Sequence, residues 1–260
     1  MLHVDWLIPQ WPAPRTVRAL CTTRNSGQSV GPYASLNFGE HVGDQELAVQ
    51  TNRAFLQQAL AARPVFLSQV HGSAVITLSH DTPNASVADA CYTEQRGLAC
   101  TIMMADCLPI LLTDTRGSFV AAAHAGWRGL AGQAGHGVIE ALFAHMVTAK
   151  PGALMFDPAR VLVWLGPCIG PGAFEVGPEV RAAFVEQSSA DEACFKPLSQ
   201  GKWLADLAGL ARLRLKALGV GQIDGNDGGL SWCTVSNPSR FFSHRRDRVS
   251  GRMAACISLG

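Results

Sequence analysis

The apolar residues of this chain fall into short runs separated by turn-forming segments. Several runs have the length of a strand, are rich in apolar side chains, and are bounded by Gly, Pro, Asn, Asp or Ser, which is typical of β-strands. Some are apolar at almost every position, which indicates strands buried on both faces. The runs that predict strands are TVRALCTT (16–23), VFLSQVH (65–71), AVITL (74–78), LACTIMM (98–104), LPILLTD (108–114), SFVAAAHA (118–125), RVLVWLG (160–166) and RMAACISL (252–259).

Other segments space their apolar residues three or four positions apart, which predicts amphipathic helices. Asp44 is a candidate N-cap for the first of them, and Pro64 follows its end. The second contains several glycines, which weaken a helix, but its apolar residues recur at steps of four. The helical segments are 45–62, 128–147, a region near 178–187, and 204–219, the last closed by Gly219.

Strands and helices interleave irregularly, without the regular strand–helix alternation of a barrel, and we find no internal repeat or low-complexity linker. The Gly-, Ser- and Asn-rich segment 25–44 has no period and predicts a long loop, of a length that is often functional. We therefore expect residues 1–260 to form a single domain of the α/β class, layered in the α+β manner, with a mixed buried β-sheet flanked by helices.

Charge and composition exclude several kinds of partner. The chain has 260 residues, of which 48% are apolar, enough for a full core. Its formal net charge is +1, so no global field would hold a nucleic acid or an anionic membrane. Charged residues interrupt the most apolar region, which excludes a membrane span, and the N-terminus lacks the pattern of a secretion signal. We expect a cytoplasmic protein whose partners are small molecules, and no obligate protein partner is evident.

Eight cysteines are scattered without a CxxC pair, which argues against a zinc ribbon and a disulfide-stapled scaffold. Cys107 in ADC, His71 in QVHG and His124 in AAHAGWRG each lie near the end of a predicted strand, where α/β sites gather. Two imidazoles and a thiolate suit Zn²⁺, with a fourth position for a water whose pKa falls toward ~7. This set predicts a metal-dependent hydrolase or deaminase, while a core thiol with two unrelated histidines stays open as the alternative.

The same residue types also fit a cysteine nucleophile. In that alternative, His124 or His71 activates Cys107, and Asp106 orients a histidine. Glu175 follows a glycine-rich turn in AFEVG and joins Asp106 as a candidate acid or base. Thiolate plus imidazole serves both purposes, so residue types alone do not separate the zinc site from the nucleophile.

Arginines near two turns are candidates for binding an anion. Arg128 lies in HAGWRGLAG, at the start of a predicted helix whose N–H groups suit an anion. FFSHRRDRVSGR (241–252) carries Arg245 and Arg246, and guanidinium groups suit phosphate or carboxylate. A solvated charge run is the alternative for this pair. Neither segment matches GxGxxG or GxxxxGK[ST], so a familiar nucleotide-phosphate loop is not supported.

LSQVHGS, MMADCLPILL, VAAAHAGWRGLAG, LGPCIGPGAFEVG and FFSHRRDRVSGRMA together resemble the laccase-domain or multicopper polyphenol oxidase family, whose members are also described as purine nucleoside phosphorylases and as peptidoglycan editing factors. The resemblance implies a fold similar to cysteine-hydrolase-like toxin domains, with zinc on His71, Cys107 and His124. It implies phosphorolysis of adenosine, inosine and methylthioadenosine, together with adenosine deamination, so that nucleoside and phosphate are the expected partners. Arg128, Arg245 and Arg246 are then the candidate phosphate ligands.

The resemblance also brings two other activities. A multicopper centre needs many histidine ligands, commonly in His-x-His pairs, and this chain has eight histidines and no such pair. Laccase chemistry of that kind is therefore not expected, although imidazole and thiolate accept a single copper. Peptidoglycan editing would be an amidase reaction that removes L-serine from a UDP-linked muramic acid precursor. A pocket that only binds a nucleoside or a partner is the non-catalytic alternative.

Overall fold

The computed structural model describes residues 3–149 and 156–260, and within these ranges the chain forms thirteen strands and six α-helices. The strands are β1 Val17–Cys21, β2 Arg63–Phe66, β3 Val75–Thr77, β4 Ala90–Thr93, β5 Leu98–Met104, β6 Leu108–Asp114, β7 Val120–Ala125, β8 Val161–Leu165, β9 Glu175–Val176, β10 Phe195–Pro197, β11 Trp203–Ala205, β12 Gln222–Gly225 and β13 Met253–Leu259. The helices are α1 Glu46–Leu60, α2 Trp127–Ala131, α3 Val138–Thr148, α4 Pro178–Val185, α5 Leu207–Ala217 and α6 His244–Asp247.

The strands form two large sheets and one small one. Six strands are ordered β12-β8-β6-β7-β4-β3, four are ordered β1-β13-β5-β2, and β10-β11-β9 form a separate three-stranded sheet. Both large sheets are mixed. In the six-stranded sheet β6 and β7 pair antiparallel whereas β12 and β8 pair parallel, and in the four-stranded sheet β1 and β13 pair antiparallel whereas β2 and β5 pair parallel. The expected α/β class with buried mixed sheets is confirmed. No helix among the described residues combines the length and apolar character that crossing a membrane would require.

Alternation along the strands explains why so many are apolar on both faces. In β6, Leu111 packs between the two large sheets, whereas its neighbours Ile110 and Leu112 pack toward the helices on the other side. One core lies between the sheets, a second lies between the six-stranded sheet and α3 and α5, and a third lies between the four-stranded sheet and α1. The result is a helix–sheet–sheet–helix stack.

The single helix expected over 128–147 is wrong, because the structure has α2 and α3 with a turn between them. Gly132 and Gly135 have φ values of 64° and 78°, and Ala134 between them has 48°, so the backbone turns left-handed there. A Cβ on Gly137 would lie 2.1 Å from the Leu130 carbonyl oxygen, so the end of the turn packs backbone against backbone. The glycines outweigh the apolar period, since only they tolerate these conformations without strain.

Three smaller differences concern the segment before His71. The strand expected over 65–71 ends at Phe66, which leaves His71 in a loop. Pro64 lies inside β2, an edge strand where a missing N–H is tolerated. The first helix begins after Gln45, which makes no side-chain capping bond, and Asp44 instead accepts from the Asn37 side chain at 2.9 Å.

Candidate active site

Three segments converge beside the start of β6 and the end of β7. The antiparallel register pairs Pro109 with His124, so Cys107, in the turn where the chain passes from one large sheet to the other, lies close to His124. His71 arrives from the loop after β2, with a left-handed φ of 61°. Strand pairing therefore brings together residues that are far apart in sequence.

The three side chains form a compact group of metal-ligand type. Their ligand atoms lie within 4.8 Å of one another, and within residues 3–149 and 156–260 no second group of this kind occurs. Cys107 Sγ and His71 Nε2 are 3.6 Å apart, and the two imidazole centroids are 4.8 Å apart in an edge-on arrangement. Zinc bonds of about 2.0–2.3 Å put tetrahedral ligand atoms roughly 3.3–3.8 Å apart. The Cys107–His71 spacing falls in this range, and the donor set suits one metal ion.

The carboxylate that orients His124 is Asp89, and not Asp106, to which the cysteine-nucleophile alternative assigned this role. Asp89 Oδ1 accepts from His124 Nδ1 at 2.9 Å, and both side chains are almost completely buried. Because Nδ1 is engaged, Nε2 is the nitrogen that His124 has available for a metal or for Cys107. Asp106 accepts instead from the Thr234 hydroxyl at 2.5 Å and from the backbone N–H of Arg245 at 2.6 Å. Its carboxylate joins the β5–β6 turn to two distant segments.

The charges of this group are strongly coupled. Burial raises the pKa of the Cys107 thiol, but the positive charge of His124 and hydrogen bonds from both imidazoles outweigh burial and bring the pKa down to about 6. Burial lowers the pKa of His124, whereas the charge of Cys107 and the hydrogen bond to Asp89 raise it to about 9. Without a metal, these shifts favour the thiolate of Cys107 and the imidazolium of His124. The thiolate is the form that binds metals and attacks electrophiles.

The group opens into a cavity of about 390 Å³, a volume in the range of small-molecule sites. Four arginines and four histidines line it, against one carboxylate, so the cavity favours an anionic ligand. The rest of the lining is largely apolar or aromatic. The lining residues are His41, Gln69, His71, Met103, Met104, Ala105, Asp106, Cys107, His124, Gly126, Trp127, Arg128, Ile169, Phe174, Leu207, His244, Arg245, Arg248 and Arg252.

Two of the three expected phosphate arginines lie at this cavity. Arg128 packs its guanidinium over the Trp127 ring at 4.5 Å, and Arg245 lies over the Phe174 ring at 5.5 Å. Arg245 also donates from Nη1 to the Glu175 carbonyl oxygen at 2.9 Å. The Glu175 carboxylate is exposed, pairs with a lysine at 2.7 Å, and is not among the residues found to line the cavity.

The structure does not bring the third arginine, Arg246, to the cavity. Its Nε and Nη2 donate to both carboxylate oxygens of Asp247 at 2.8 and 2.7 Å. Nη1 donates to the carbonyl oxygens of Thr234 and Val235, and Nη2 also donates to that of Phe241. This guanidinium holds together the segments that carry Arg245.

Among the charged and titratable residues of the site, sequence reasoning missed five: Asp89, His41, His244, Arg248 and Arg252. Arg248 and Arg252 belong to the same basic run as Arg245, and His41 belongs to the long loop 25–44, so both segments carried a signal. The backbone N–H of Arg252 donates to Asn37 Oδ1 at 2.8 Å, which fastens that loop to the cavity. Asp89 carried no signal, because only the pairing of β4 with β7 brings it to His124.

The fold is a layered α/β domain, and a His–Cys–His group lies in its cationic cavity. These features define a class of proteins that have a candidate metal site for small-molecule chemistry. A family model described as multi-copper polyphenol oxidoreductase laccase matches residues 18–260. A Pseudomonas aeruginosa protein named purine nucleoside phosphorylase is 48% identical over 255 residues, which cover 98% of each chain. A protein of the same name from Escherichia coli is 44% identical over 256 residues, 97% of this chain and 98% of its own.

Solved structures agree with these matches. A Neisseria meningitidis protein superposes with a TM-score of 0.88 at 42% identity, covering 98% of this chain and 99% of its own. A Bacillus licheniformis protein superposes with a TM-score of 0.84 at 29% identity, covering 94% and 93%. The chain belongs to the laccase-like family that the matching model describes. The family's name refers to copper, and a donor set of two imidazoles and one thiolate accepts zinc or copper.

Proposed function

We propose that this chain is a purine nucleoside phosphorylase that cleaves adenosine, inosine and S-methyl-5′-thioadenosine with phosphate. The observation that carries the proposal is the cavity, which combines a metal-ligand group, apolar and aromatic walls, and an excess of arginine. The curated relatives named purine nucleoside phosphorylase, at 48% and 44% identity over nearly the whole chain, support the same activity. Nucleoside and phosphate are the substrates, and they need no protein partner.

Each half of the substrate has a suitable surface in the cavity. A purine is flat and apolar on its faces, and the apolar and aromatic side chains of the cavity suit it, among them Trp127 and Phe174, each of which has a guanidinium over one face of its ring. Phosphate is an anion at neutral pH, and the guanidinium groups of Arg128 and Arg245 suit it through charge-assisted hydrogen bonds. Phosphate held in this way attacks the ribose C1′ as the purine leaves. Arg246 has no part in this binding, since its guanidinium is committed to Asp247 and backbone carbonyls.

His71, Cys107 and His124 would hold the metal, which we propose to be zinc. A zinc ion bound there supplies a Lewis acid that polarises a substrate atom or a water. The chain itself presents a thiolate and two imidazoles to the metal, and the lowered pKa of Cys107 provides that thiolate near neutral pH. Asp106 lines the cavity and is the candidate for moving a proton, with a carboxylate that already accepts two hydrogen bonds. Glu175, the other candidate from the sequence, pairs with Lys202 and is not among the residues that line the cavity, so we do not assign it that role.

Deamination of adenosine to inosine is a second reaction that we propose for the same cavity. It requires attack by water at C6 of the purine, and three protein ligands with a further open position are the usual arrangement of catalytic zinc sites. The two reactions differ in their second substrate, because phosphorolysis consumes phosphate whereas deamination does not. Product analysis of one nucleoside therefore separates them.

A specific observation favours one competing function. Asp89, His124 and Cys107 are arranged like an acid–histidine–nucleophile set, which suits amide hydrolysis, including removal of L-serine from a muramic acid precursor. A cysteine nucleophile works without a metal. Amide hydrolysis that survives complete chelation would favour this alternative over the metal-dependent one.

The decisive experiment combines metal analysis with a phosphate-dependent assay. Purified protein loaded with zinc is expected to convert inosine to hypoxanthine and ribose 1-phosphate only when phosphate is present, and Cys107→Ala is expected to lose both zinc and turnover. Cys194→Ala serves as a control, because Cys194 is also partly buried but does not line the cavity. Equal inosine cleavage with and without phosphate would exclude phosphorolysis, and full zinc content in Cys107→Ala would exclude the ligand assignment.

A further inference from the structure

One buried carboxylate contacts two of the three ligand residues. Asp89 Oδ1 accepts from His124 Nδ1 at 2.9 Å and from the backbone N–H of His71 at 2.9 Å. Its Oδ2 accepts from the backbone N–H groups of Val70 at 3.2 Å and Gly72 at 2.7 Å. The Asp89 side chain is completely buried, so these four bonds replace its hydration.

Strand pairing fixes Asp89 in this place. It directly precedes β4, which pairs antiparallel with β7, and the backbone N–H of His124 donates to the Asp89 carbonyl oxygen at 2.7 Å. The Asp89 N–H donates to the carbonyl oxygen of Ala74 at 3.0 Å, so Asp89 also holds the end of the loop that contains His71 through its backbone. The position of the carboxylate is therefore set by the sheet and not by the loop.

The loop conformation depends on this carboxylate. Three successive N–H groups, of residues 70–72, point to its two oxygens, and the middle residue, His71, has a φ of 61°. Residues other than glycine are disfavoured at positive φ, and they keep such a backbone conformation only when the surrounding structure holds it. His71 itself is exposed, so packing alone does not hold its backbone.

We propose that Asp89 is a positioning residue for the metal site, which sets His124 through its side chain and His71 through its backbone. The inference rests on the proposed metal site at His71, Cys107 and His124. Accepting from Nδ1 keeps the proton on that nitrogen and leaves Nε2 for the metal, an arrangement that orients the ring and makes it a stronger ligand. Among the hydrogen bonds of the described residues, the Asp89 carboxylate has one to His71 and one to His124 but none to Cys107.

A carboxylate elsewhere in the chain separates turn formation from ligand positioning. Asp114, at the far end of β6, accepts from the backbone N–H of Arg116 at 3.1 Å and of Ser118 at 2.7 Å, and so it also holds a turn. It lies in a partly exposed position away from the cavity. Asp114→Asn is therefore a matched control for Asp89→Asn, because both replace a turn-holding carboxylate by an amide.

The test measures zinc affinity of purified variants by competition with a chromophoric chelator. In Asp89→Asn an amide nitrogen, which cannot accept, replaces one carboxylate oxygen, so the hydrogen bonds to that oxygen are lost. We expect zinc to bind about 10- to 100-fold more weakly. Asp114→Asn is expected to match the unmodified protein within about twofold, since its metal ligands are intact. Co²⁺ absorption supplies a second readout, because its intensity depends on coordination geometry, and only the Asp89 variant is expected to change it.

Unfolding of the metal-free proteins is measured in parallel, so that a loss of affinity is compared at equal folded fraction. Should Asp89→Asn not fold, ¹⁵N NMR of the histidine side chains in the unsubstituted zinc protein decides. We expect His124 to be metal-bound through Nε2 and protonated at Nδ1, and metal binding through Nδ1 would overturn the proposal. Equal zinc affinity of Asp89→Asn and the unsubstituted protein would also overturn it. If the unsubstituted protein itself binds no zinc, the metal site fails, and with it the ground for the inference.

Discussion

Replacing Gly126 by alanine adds one methyl group at the most crowded point of the site. Gly126 precedes α2 with φ −70° and ψ 161°, which alanine adopts readily, so the backbone itself is not strained. The new Cβ would lie 2.8 Å from Cδ2 of His71 and 3.0 Å from Sγ of Cys107. Both ligand residues must move to admit it.

The size of the effect follows from these distances. Ordinary carbon–carbon contacts begin near about 3.5 Å, so His71 must withdraw by roughly 0.7 Å, whereas metal sites hold their bond lengths within about 0.2 Å. Overpacking of this kind costs about 1–3 kcal/mol. If the ligand geometry carries the whole cost, zinc binds roughly 5- to 150-fold more weakly, at about 1.4 kcal/mol per factor of ten.

The assay is a zinc competition titration, with thermal unfolding of the metal-free protein beside it. Gly172→Ala is the control, since a Cβ there meets nothing within 4 Å. We expect the Gly126 variant to lose affinity and the Gly172 variant to keep it. A Gly126 variant that binds zinc as tightly as the control would show that the ligand residues do not pack against Gly126 as described, and would refute the reasoning.

Three further predictions use other parts of the site. After the metal is removed by chelation, the alkylation rate of Cys107 is expected to rise with pH around a pKa of about 6, and not around 9.0, because His124 stabilises the thiolate. Above pH 6 the thiol is ionised, and below pH 6 the reaction slows. Iodoacetamide kinetics measure this, with Cys107→Ala as the blank. Arg246→Ala is expected to lower the free energy of unfolding, measured by urea denaturation, by about 1–3 kcal/mol, because the carbonyl oxygens of Thr234, Val235 and Phe241 lose a donor. Arg245→Ala is expected to raise the KM for phosphate, and the opposite pattern would reverse the roles of the two arginines. Glu175→Gln is expected to leave turnover within about twofold, as its exposed carboxylate contacts Lys202 and not the cavity, and a large loss of kcat would make it an acid or base.

The layered fold was predictable because burial on both faces leaves a clear mark on a sequence. β5, β6 and β7 consist almost entirely of buried residues, and such runs are hard to mistake for loops or amphipathic helices. The break between α2 and α3 was not predicted, because the apolar steps of four continue through the turn and only the left-handed backbone at Gly132 ends the helix. The pattern of apolar residues along the sequence indicates which segments are buried. The backbone conformation at a glycine depends instead on the residues that pack against it.

The candidate site divides in the same way. His71, Cys107 and His124 could be proposed from the chain alone, because few residue types bind metals and each lies near the end of a predicted strand. Asp89 could not, and Asp106 was chosen in its place, since adjacency to Cys107 in sequence says nothing about which carboxylate reaches a histidine. Arg245 and Arg246 are neighbours of one type, yet the first lines the cavity and the second ties the chain together. Residue chemistry is local and can be read in sequence, but the direction of a side chain and its partners depend on contacts between distant segments, which exist only in the folded protein.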